Sequence, residues 1–206
     1  MEKISSAIER AQPKKVHVIG CGAIAREILA ICDANGLDHI DLNCLPAIWH
    51  NTPEKITPGI RDAIAKARTE GFERIFVAYA DCGTGGHLDR LCEEEKVERI
   101  PGPHCYSFFA GNADFARRWD DDITAFFLTD FLARQFEAFV IEPLGLDRHP
   151  ELRDMYFGHY RKLVYLSQQE DKTLQEKAKK AAEYLGLEYE YRFTGYGDLT
   201  GSLLSA

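Results

Sequence analysis

Three cysteines and two histidines stand where apolar segments of this chain give way to turns, and side chains of these types can bind a soft metal ion. Cys21 and Cys82 each end a segment with the composition of a buried β-strand, and Cys105 follows a shorter one with His104 directly before it. His50 comes shortly after a fourth such segment. Residues just beyond the carboxyl ends of parallel strands converge on one crevice, so we expect these side chains to meet there. Thiolate and imidazole ligands together suit zinc or an iron centre.

The predicted metal site has no local motif, because the spacings form no CxxC pair and the ligands come from distant segments. Cys21, Cys82 and Cys105 are the predicted thiolate ligands, with His50 or His104 as the fourth. Zinc is favoured because histidine belongs to the set, and an iron–sulfur cluster is the alternative. A closed site would be structural or a carrier, whereas a site with an open position could activate a bound thiol or water.

The same residues allow a second chemistry, nucleophilic catalysis by a cysteine. Cys21 or Cys82 would attack the substrate, with His50 or His104 as the base. Cys21 is predicted to lie at a helix N-terminus, where backbone N–H groups and the helix dipole lower the pKa of a thiol. Cys82 and His104 are the candidate catalytic residues, and the spacing alone does not select between the two chemistries.

Glycine-rich loops are a third candidate feature, a place for a phosphate or a cofactor. Gly22 begins the helix after the first strand, and Gly83, Gly85 and Gly86 follow the third strand, where glycine lets the backbone approach a ligand closely. The first loop matches a dinucleotide fingerprint only weakly, since the acidic residue expected about 20 residues later falls inside a strand. A nucleotide- or small-molecule-binding enzyme stays open as an alternative.

Strands and helices alternate through the first half of the chain. The predicted strands are 15–20, 40–45, 74–80 and 97–100, and the predicted helices are 23–35, 58–70 and 87–96. Repeated βα units of this length favour a parallel sheet with right-handed crossovers. The predicted fold class is therefore α/β, with a doubly wound, mostly parallel sheet flanked by helices in a Rossmann-like three-layer arrangement.

The second half of the chain follows a less regular pattern. We predict a short strand and then a helix around 129–131, a short helix over 149–160, a strand over 162–167, a helix over 172–185 and an edge strand over 187–194. The five Phe of the segment 120–140 are interpreted as core packing in preference to an interface. The chain is predicted to form a single α/β domain over 1–206, with a helical extension or subdomain around 112–160.

Four further residues bear on the predicted site. Cys32 and Cys92 fall on apolar helix faces and are interpreted as small core residues, and Cys44 lies within a strand and is also assigned to the core. Glu27, taken alone, is expected at the surface. Because it is six residues beyond Cys21, it does not share the helix face of Cys21 unless the first turn is irregular.

The composition and charge of the chain argue against several classes of function and partner for this protein. The formal net charge is −8 and the basic residues are scattered, which argues against a nucleic-acid-binding surface. No apolar run approaches the roughly 20 residues of a membrane-spanning helix, and the segment 1–15 is polar and unlike a secretory signal. Six cysteines in a cytoplasmic chain of 206 residues are typical of metal-binding, catalytic or core thiols and not of a disulfide framework.

Several strings of this sequence together resemble one family. They run from Cys21 to Glu27, Leu45 to Pro53, Tyr79 to Gly83 and His104 to Gly111, with Thr129–Phe131 and Gly195–Asp198 in the second half. The chain resembles the DUF1638 family over nearly its whole length. The resemblance carries the family's pattern onto a distinctive order of residues, namely Cys21, Glu27, His50, Cys82, His104 and Cys105, and on this ground Glu27 is kept as a lower-ranked candidate metal ligand.

The resemblance implies a metabolic setting. Members of the family it resembles are cytoplasmic proteins of anaerobic archaea and bacteria. They tend to be encoded near corrinoid-dependent methyltransferases. This implies metal-dependent methyl transfer in one-carbon metabolism, with a small methyl or thiol substrate. A non-catalytic accessory or partner of the corrinoid methyltransferase proteins is the alternative, and an oligomer is compatible with either. Many relatives have His-Asp-Cys where this chain has His104-Cys105, which changes how the two side chains are placed.

Overall fold

The computed structural model describes residues 15–206. The polar segment 1–15, which the sequence analysis distinguishes from a secretory signal, therefore lies almost wholly outside the described residues. Within the described residues, seven strands form two separate parallel sheets. The N-terminal sheet has the order β2-β1-β3-β4, and the C-terminal sheet has the order β5-β6-β7. The strands are β1 Val16–Cys21, β2 Ile40–Leu45, β3 Arg74–Ala78, β4 Glu98–Arg99, β5 Ala125–Leu128, β6 Lys162–Ser167 and β7 Glu188–Phe193.

Ten α-helices in the same range connect and cover the strands. They are α1 Ala25–Asn35, α2 Ile56–Thr69, α3 His87–Glu95, α4 Cys105–Ala110, α5 Asn112–Arg117, α6 Trp119–Asp122, α7 Asp130–Arg134, α8 Arg153–Phe157, α9 Lys172–Leu185 and α10 Asp198–Ser205. Helix α9 begins and ends at residues that favour a helix boundary. The carboxylate of Asp171 accepts two backbone N–H groups at the start of α9, and Gly186 ends that helix with a φ of 71°.

The central strands of both sheets are buried and apolar, as expected for parallel strands covered on both faces. In β1, Val18 pairs with Leu42 of β2 on one side and with Phe76 of β3 on the other. In the C-terminal sheet, β6 takes the central place, and β7 is the partly exposed edge strand. The helices therefore bury two apolar cores, one around each sheet.

The last helix joins the two halves, because α10 returns from the C-terminal sheet to the N-terminal core. Leu199 and Leu203 of α10 are buried in that core beside Phe108 of α4. The turn before α10 passes so close to α4 that a Cβ atom on Gly197 would lie 2.2 Å from the Phe108 carbonyl oxygen. The 3₁₀ turn Gly22–Ile24, which follows β1, also contacts α7, which follows β5. The carboxyl-terminal sides of β1 and β5 therefore face each other.

The predicted α/β class is confirmed, although the strands divide into a four-stranded and a three-stranded sheet where the sequence indicates one doubly wound sheet. The bounds of β2 and α9, the strand-then-helix around 129 and the edge position of the last strand also agree with the prediction. The strand predicted over 97–100 is only two residues long, because prolines at 101 and 103 end its pairing. The Phe side chains of 120–140 pack against the cores as predicted.

No helix within residues 15–206 combines the length and the apolar character that a transmembrane span requires.

Candidate functional site

The three predicted thiolate ligands lie on the carboxyl-terminal side of the N-terminal sheet. Cys21 is the last residue of β1, Cys82 comes shortly after β3, and Cys105 is the first residue of α4. The backbone N–H of Cys82 donates to the Pro103 carbonyl at 2.8 Å, and the preceding residue makes a second bond to the same segment. These bonds tie the end of β3 to the turn before α4, and they hold Cys82 near Cys105.

The loop after β3 is organised by a carboxylate. Asp81 accepts the Thr84 hydroxyl at 2.7 Å and the backbone N–H groups of Gly85 and Gly86 at 3.2 and 2.9 Å. Cys82 has a φ of 50°, a left-handed conformation that residues with a side chain seldom adopt and that recurs at functional sites. Two of the three glycine N–H groups predicted to bind a phosphate in this loop, those of Gly85 and Gly86, are thus already bonded to Asp81.

The other glycines predicted to bind a cofactor lie in different surroundings. A Cβ atom on Gly22 would lie 3.0 Å from the Leu45 carbonyl oxygen, so the absence of a side chain there lets the start of the first helix pack against the end of β2. Gly83 has a φ of 81° and lines an open pocket of about 550 Å³ with Pro53 and His87. Only Gly83 among these glycines directly adjoins Cys82 in sequence.

The three thiols are close enough to influence one another's ionisation. Burial raises the pKa of Cys82 to about 12, and a charge on Cys21 adds to the increase. Burial also raises the pKa of Cys105 well above the usual value, with further contributions from Cys82 and Cys21. Two thiolates repel each other strongly in a desolvated site. At neutral pH the three side chains are therefore protonated.

The lowered pKa that we predict for Cys21 is wrong. Its sulfur does accept the backbone N–H of Ala23, at 3.5 Å, where it caps the 3₁₀ turn Gly22–Ile24. Burial outweighs that hydrogen bond and raises the pKa of Cys21. A helix N-terminus lowers the pKa of a thiol only when the thiol stays solvated enough that the helix dipole outweighs the effect of burial.

Two tyrosines that the sequence analysis did not select complete the surroundings of the thiols. The Tyr79 hydroxyl is buried and makes no hydrogen bond of standard length and angle, although the Cys21 thiol lies beside it and interacts with it. Tyr106 lies near the thiols of Cys105 and Cys82. Burial raises the pKa of both tyrosines, so both hydroxyls keep their protons and can donate them in hydrogen bonds. The available signal was their position, each within three residues of a site cysteine.

The two predicted histidines lie near each other in different surroundings. The His104 ring packs against Tyr106 and Phe115 with centroid distances of 4.9 and 5.2 Å, and its Nδ1 atom is buried without a hydrogen-bond partner. His50 belongs to the 3₁₀ turn Ala47–Asn51 and meets solvent at the mouth of an apolar pocket. Apolar surroundings lower the pKa of both imidazoles, and a charge on His50 would lower that of His104 further.

Within residues 15–206, no group of three or more His, Cys, Asp or Glu side chains is arranged to hold a metal ion. Coordination would require the thiols of Cys21, Cys82 and Cys105 to draw together by rotation of their side chains. The chemistry of the donors nevertheless fits a soft metal, since the three thiols are close enough to affect one another's ionisation, and His104, whose buried Nδ1 atom has no partner, directly precedes Cys105.

Glu27 does not join the thiols. Contrary to its expected surface position, it is only 4% exposed. Burial raises the pKa of Glu27, and the nearby carboxyl of Asp130 adds to the increase, while Arg134 opposes it. The structure therefore places Glu27 between α1 and α7, where the two halves of the molecule meet.

The remaining cysteines divide into one confirmed core residue and two that keep contact with solvent. Cys92 is buried in the core beside α2, as predicted. Cys32 is only partly buried. The assignment of Cys44 to the core is wrong, because β2 is the edge strand of the N-terminal sheet and leaves Cys44 exposed. Cys44 still lies close enough to Cys21 for each thiolate to disfavour the other.

Comparison with known proteins assigns the chain to a family. The model of a family described as a protein of unknown function, DUF1638, matches residues 44–203, and the chain belongs to that family. No curated protein and no solved structure matches the chain.

Proposed function

We propose that this DUF1638 protein binds a thiophilic metal ion through Cys21, Cys82 and Cys105. Zinc is the favoured metal, and an iron–sulfur cluster is the alternative. The observation that carries the proposal is the convergence of three thiols from three separate segments, where Cys21 adds to the raised pKa of Cys82 and both add to that of Cys105. All three also pack against the N-terminal core, so the support for a donor set is their common location and not their burial.

The protonated state of the thiols supports metal binding over a free cysteine nucleophile. A nucleophile must be a thiolate, yet burial raises the pKa of Cys82 to about 12. A metal ion displaces the thiol protons, and its positive charge offsets the repulsion between the thiolates. His104 or His50 is the candidate fourth ligand, and His104 is favoured because its buried Nδ1 atom has no partner.

The setting of this site in metabolism is a further part of the proposal. Zinc with one open position would bind a small thiol substrate and favour its deprotonation. Together with the family resemblance, this suggests cytoplasmic methyl transfer in corrinoid-linked one-carbon metabolism. The alternative, a non-catalytic partner of a corrinoid methyltransferase system, has less support because the Phe-rich segment that would form its interface packs into the cores.

The test is a metal and sulfide analysis of protein purified without oxygen, as wild type, Cys82→Ser and Cys32→Ser. Cys32 serves as the matched control because it is also partly buried and lies outside the cluster. We expect about one zinc per chain in wild type and in Cys32→Ser, and a loss of most of it in Cys82→Ser, since one of three thiolate ligands is removed.

Other results would redirect or end the proposal. Iron with acid-labile sulfide and a visible absorption band would identify the cluster as the metal centre. Zinc retained by Cys82→Ser would place the metal elsewhere. An absence of zinc and iron from wild type, together with no zinc uptake on titration of the reduced protein, would contradict metal binding at this site.

A further inference from the structure

A pocket of about 300 Å³ lies beside the thiol cluster, between the two halves of the molecule. Four of the ten residues that line it are Phe or Tyr, and they are Tyr106, Phe126, Phe139 and Phe157. The N-terminal half contributes His50 and Asn51, and aliphatic side chains from α7 and the segment after it complete the lining. The pocket belongs to both halves, because Tyr106 lies on α4 and the Phe residues lie around the C-terminal sheet.

The lining of this pocket has three polar side chains and no charged one. The Asn51 amide already donates to the Phe139 carbonyl at 3.4 Å, which leaves the imidazole of His50 and the hydroxyl of Tyr106 for a ligand. Burying a carboxylate or phosphate against aromatic and aliphatic walls is strongly unfavourable without a compensating partner. The lining therefore selects an uncharged ligand with an apolar body.

The pocket adjoins the thiols through a shared side chain. Tyr106 follows Cys105 directly and forms part of the pocket wall, and its hydroxyl lies near the thiols of Cys105 and Cys82. Its ring packs against those of His104 and Phe127, with centroid distances of 4.9 and 5.5 Å. A molecule in the pocket would contact a residue that itself contacts the proposed metal ligands.

We propose that this pocket is the substrate subsite of the thiol site, and that it takes a small uncharged organic molecule whose apolar body packs on Phe126, Phe139 and Phe157 while its polar end meets His50. This inference rests on the proposed metal site for its role, whereas the binding of the molecule itself rests on the pocket alone. A volume of about 300 Å³ lies at the small end of ligand pockets, so the molecule is small.

The test uses indole, which is neutral and apolar with one polar N–H, and indole-3-carboxylate and tetramethylammonium as charged counterparts. Each is titrated into the wild-type protein while the NMR signals of the His50 ring are followed. We expect saturable shifts of the His50 signals with indole, and at least tenfold weaker binding of both charged probes. Equal binding of indole-3-carboxylate, or tighter binding of tetramethylammonium, would overturn the assignment to uncharged ligands.

Two tryptophan variants locate the binding site. Leu144→Trp places a larger side chain in the pocket wall, whereas Leu204→Trp adds the same side chain at an exposed position of α10. We expect Leu144→Trp to weaken indole binding at least tenfold and Leu204→Trp to leave it unchanged. Circular dichroism confirms the fold of each variant, and the wild-type His50 shifts test the site without any substitution. Indole binding that Leu144→Trp leaves unchanged, or His50 signals that do not shift with indole, would contradict binding in this pocket.

Metal analysis of the same samples separates this inference from the proposed metal site. Cys82→Ser is expected to lose zinc and to keep indole binding, because the pocket walls do not include that thiol. Zinc in wild type without indole binding would overturn the pocket alone. Indole binding at His50 in a wild type that takes up no zinc would support the pocket and contradict the metal site.

Discussion

Tyr79 and Tyr165 lie near the carboxyl ends of central strands in the two parallel sheets, but their hydroxyls have different surroundings. The Tyr165 hydroxyl donates to the Asp130 carboxylate at 2.6 Å. The Tyr79 hydroxyl is equally enclosed, yet it makes no standard hydrogen bond and lies beside the Cys21 thiol. The same residue type is part of a completed network in one sheet and of an incomplete one in the other.

The C-terminal sheet satisfies most of its buried polar groups internally. The Asp130 carboxylate also accepts the backbone N–H groups of Gln168 and Gln169, both at 3.1 Å. The backbone N–H of Asp130 donates to the side-chain oxygen of Gln168. Near the start of β5, the buried carboxylate of Asp122 binds Arg192 at 2.6 and 2.7 Å. Tyr189 on the edge strand is an exception in this sheet.

Near the three thiols, two buried polar atoms lack internal partners, the Tyr79 hydroxyl and the Nδ1 atom of His104, while Asn112 Oδ1 on α5 is a further such atom away from them. Buried polar groups are nearly always hydrogen-bonded in folded proteins, and a completed network fixes a unique conformation. Unpartnered groups gathered in one crevice are better explained by a ligand that completes them. The comparison therefore indicates a structural role for the C-terminal network and a binding role for the thiol cluster.

The largest expected effect concerns the chemical reactivity of the thiols. Burial raises the pKa of Cys82 from 9.0 to about 12, so at pH 8 it carries roughly a thousandfold less thiolate than an ordinary cysteine. We expect iodoacetamide to modify exposed Cys44 first and Cys82 at least a hundredfold more slowly, as measured by mass spectrometry of peptides. In guanidinium chloride, the six cysteines should react at similar rates.

Rapid alkylation of Cys82 in the folded protein would contradict this description of the cluster. It would restore the hypothesis of a free cysteine nucleophile, since that chemistry requires a thiolate at neutral pH.

The second effect is on stability and belongs to the C-terminal network. Asp122→Asn removes the negative charge that Arg192 and Lys162 share, and it leaves two largely buried cations with Glu190 as their remaining partner. Breaking a buried ion pair on one side costs about 3 kcal/mol. Urea unfolding should show a loss of that size. Asp121→Asn, at an exposed neighbouring position, should change the free energy of unfolding by less than about 0.5 kcal/mol.

The same variant gives a test by pH. Burial opposes the charge on Asp122, but the bonds from Arg192 and Lys162 outweigh it and lower the pKa from 3.8 to about 2. This contribution to stability is present above pH 4 and is lost as the pH falls toward 2, where the carboxylate becomes protonated. The stabilities of wild type and Asp122→Asn should therefore converge between pH 4 and 2. A difference that stays constant over this range would exclude the ion network as its cause.

The sequence predicts the elements of this fold well because their signals are local. The bounds of β2 and α9 follow from apolar periodicity and from the capping residues Asp171 and Gly186. The division of the strands into two sheets is not local, because it depends on which strands pair across long separations. Burial of Glu27 likewise depends on the approach of α7, a contact more than 100 residues away in sequence.

The candidate site could be predicted only in part, because the positions of its cysteines are a local signal and their surroundings are not. Cys21, Cys82 and Cys105 all stand after strands, and topology alone brings such positions together. Their pKa values could not be predicted, because desolvation depends on every surrounding side chain. Tyr79 was missed since a tyrosine at the end of an apolar strand usually indicates core packing, and only the structure shows that its hydroxyl lacks a partner.

A third effect, smaller than that of Asp122→Asn, is expected for Tyr165→Phe. The substitution keeps the ring and removes one hydrogen bond to the buried carboxyl of Asp130, which retains the backbone N–H groups of Gln168 and Gln169. Hydrogen bonds to charged groups contribute about 2 kcal/mol, and we expect thermal and urea unfolding to show a loss near that value. An unchanged free energy of unfolding would mean that the network does not stabilise the C-terminal sheet.

The smallest expected change in stability belongs to Tyr79→Phe, the matched substitution in the N-terminal sheet. Because the Tyr79 hydroxyl has no standard partner to lose, the free energy of unfolding of the protein without metal should change by less than about 0.5 kcal/mol. Zinc affinity should fall about tenfold, since the hydroxyl beside Cys21 is placed to donate to a metal-bound thiolate. A loss of stability equal to that of Tyr165→Phe, with zinc affinity unchanged, would remove the distinction between the two sheets. Near-neutral stability with weakened zinc binding would show that the incomplete network around the thiols serves a ligand, because only the bound state would depend on the hydroxyl.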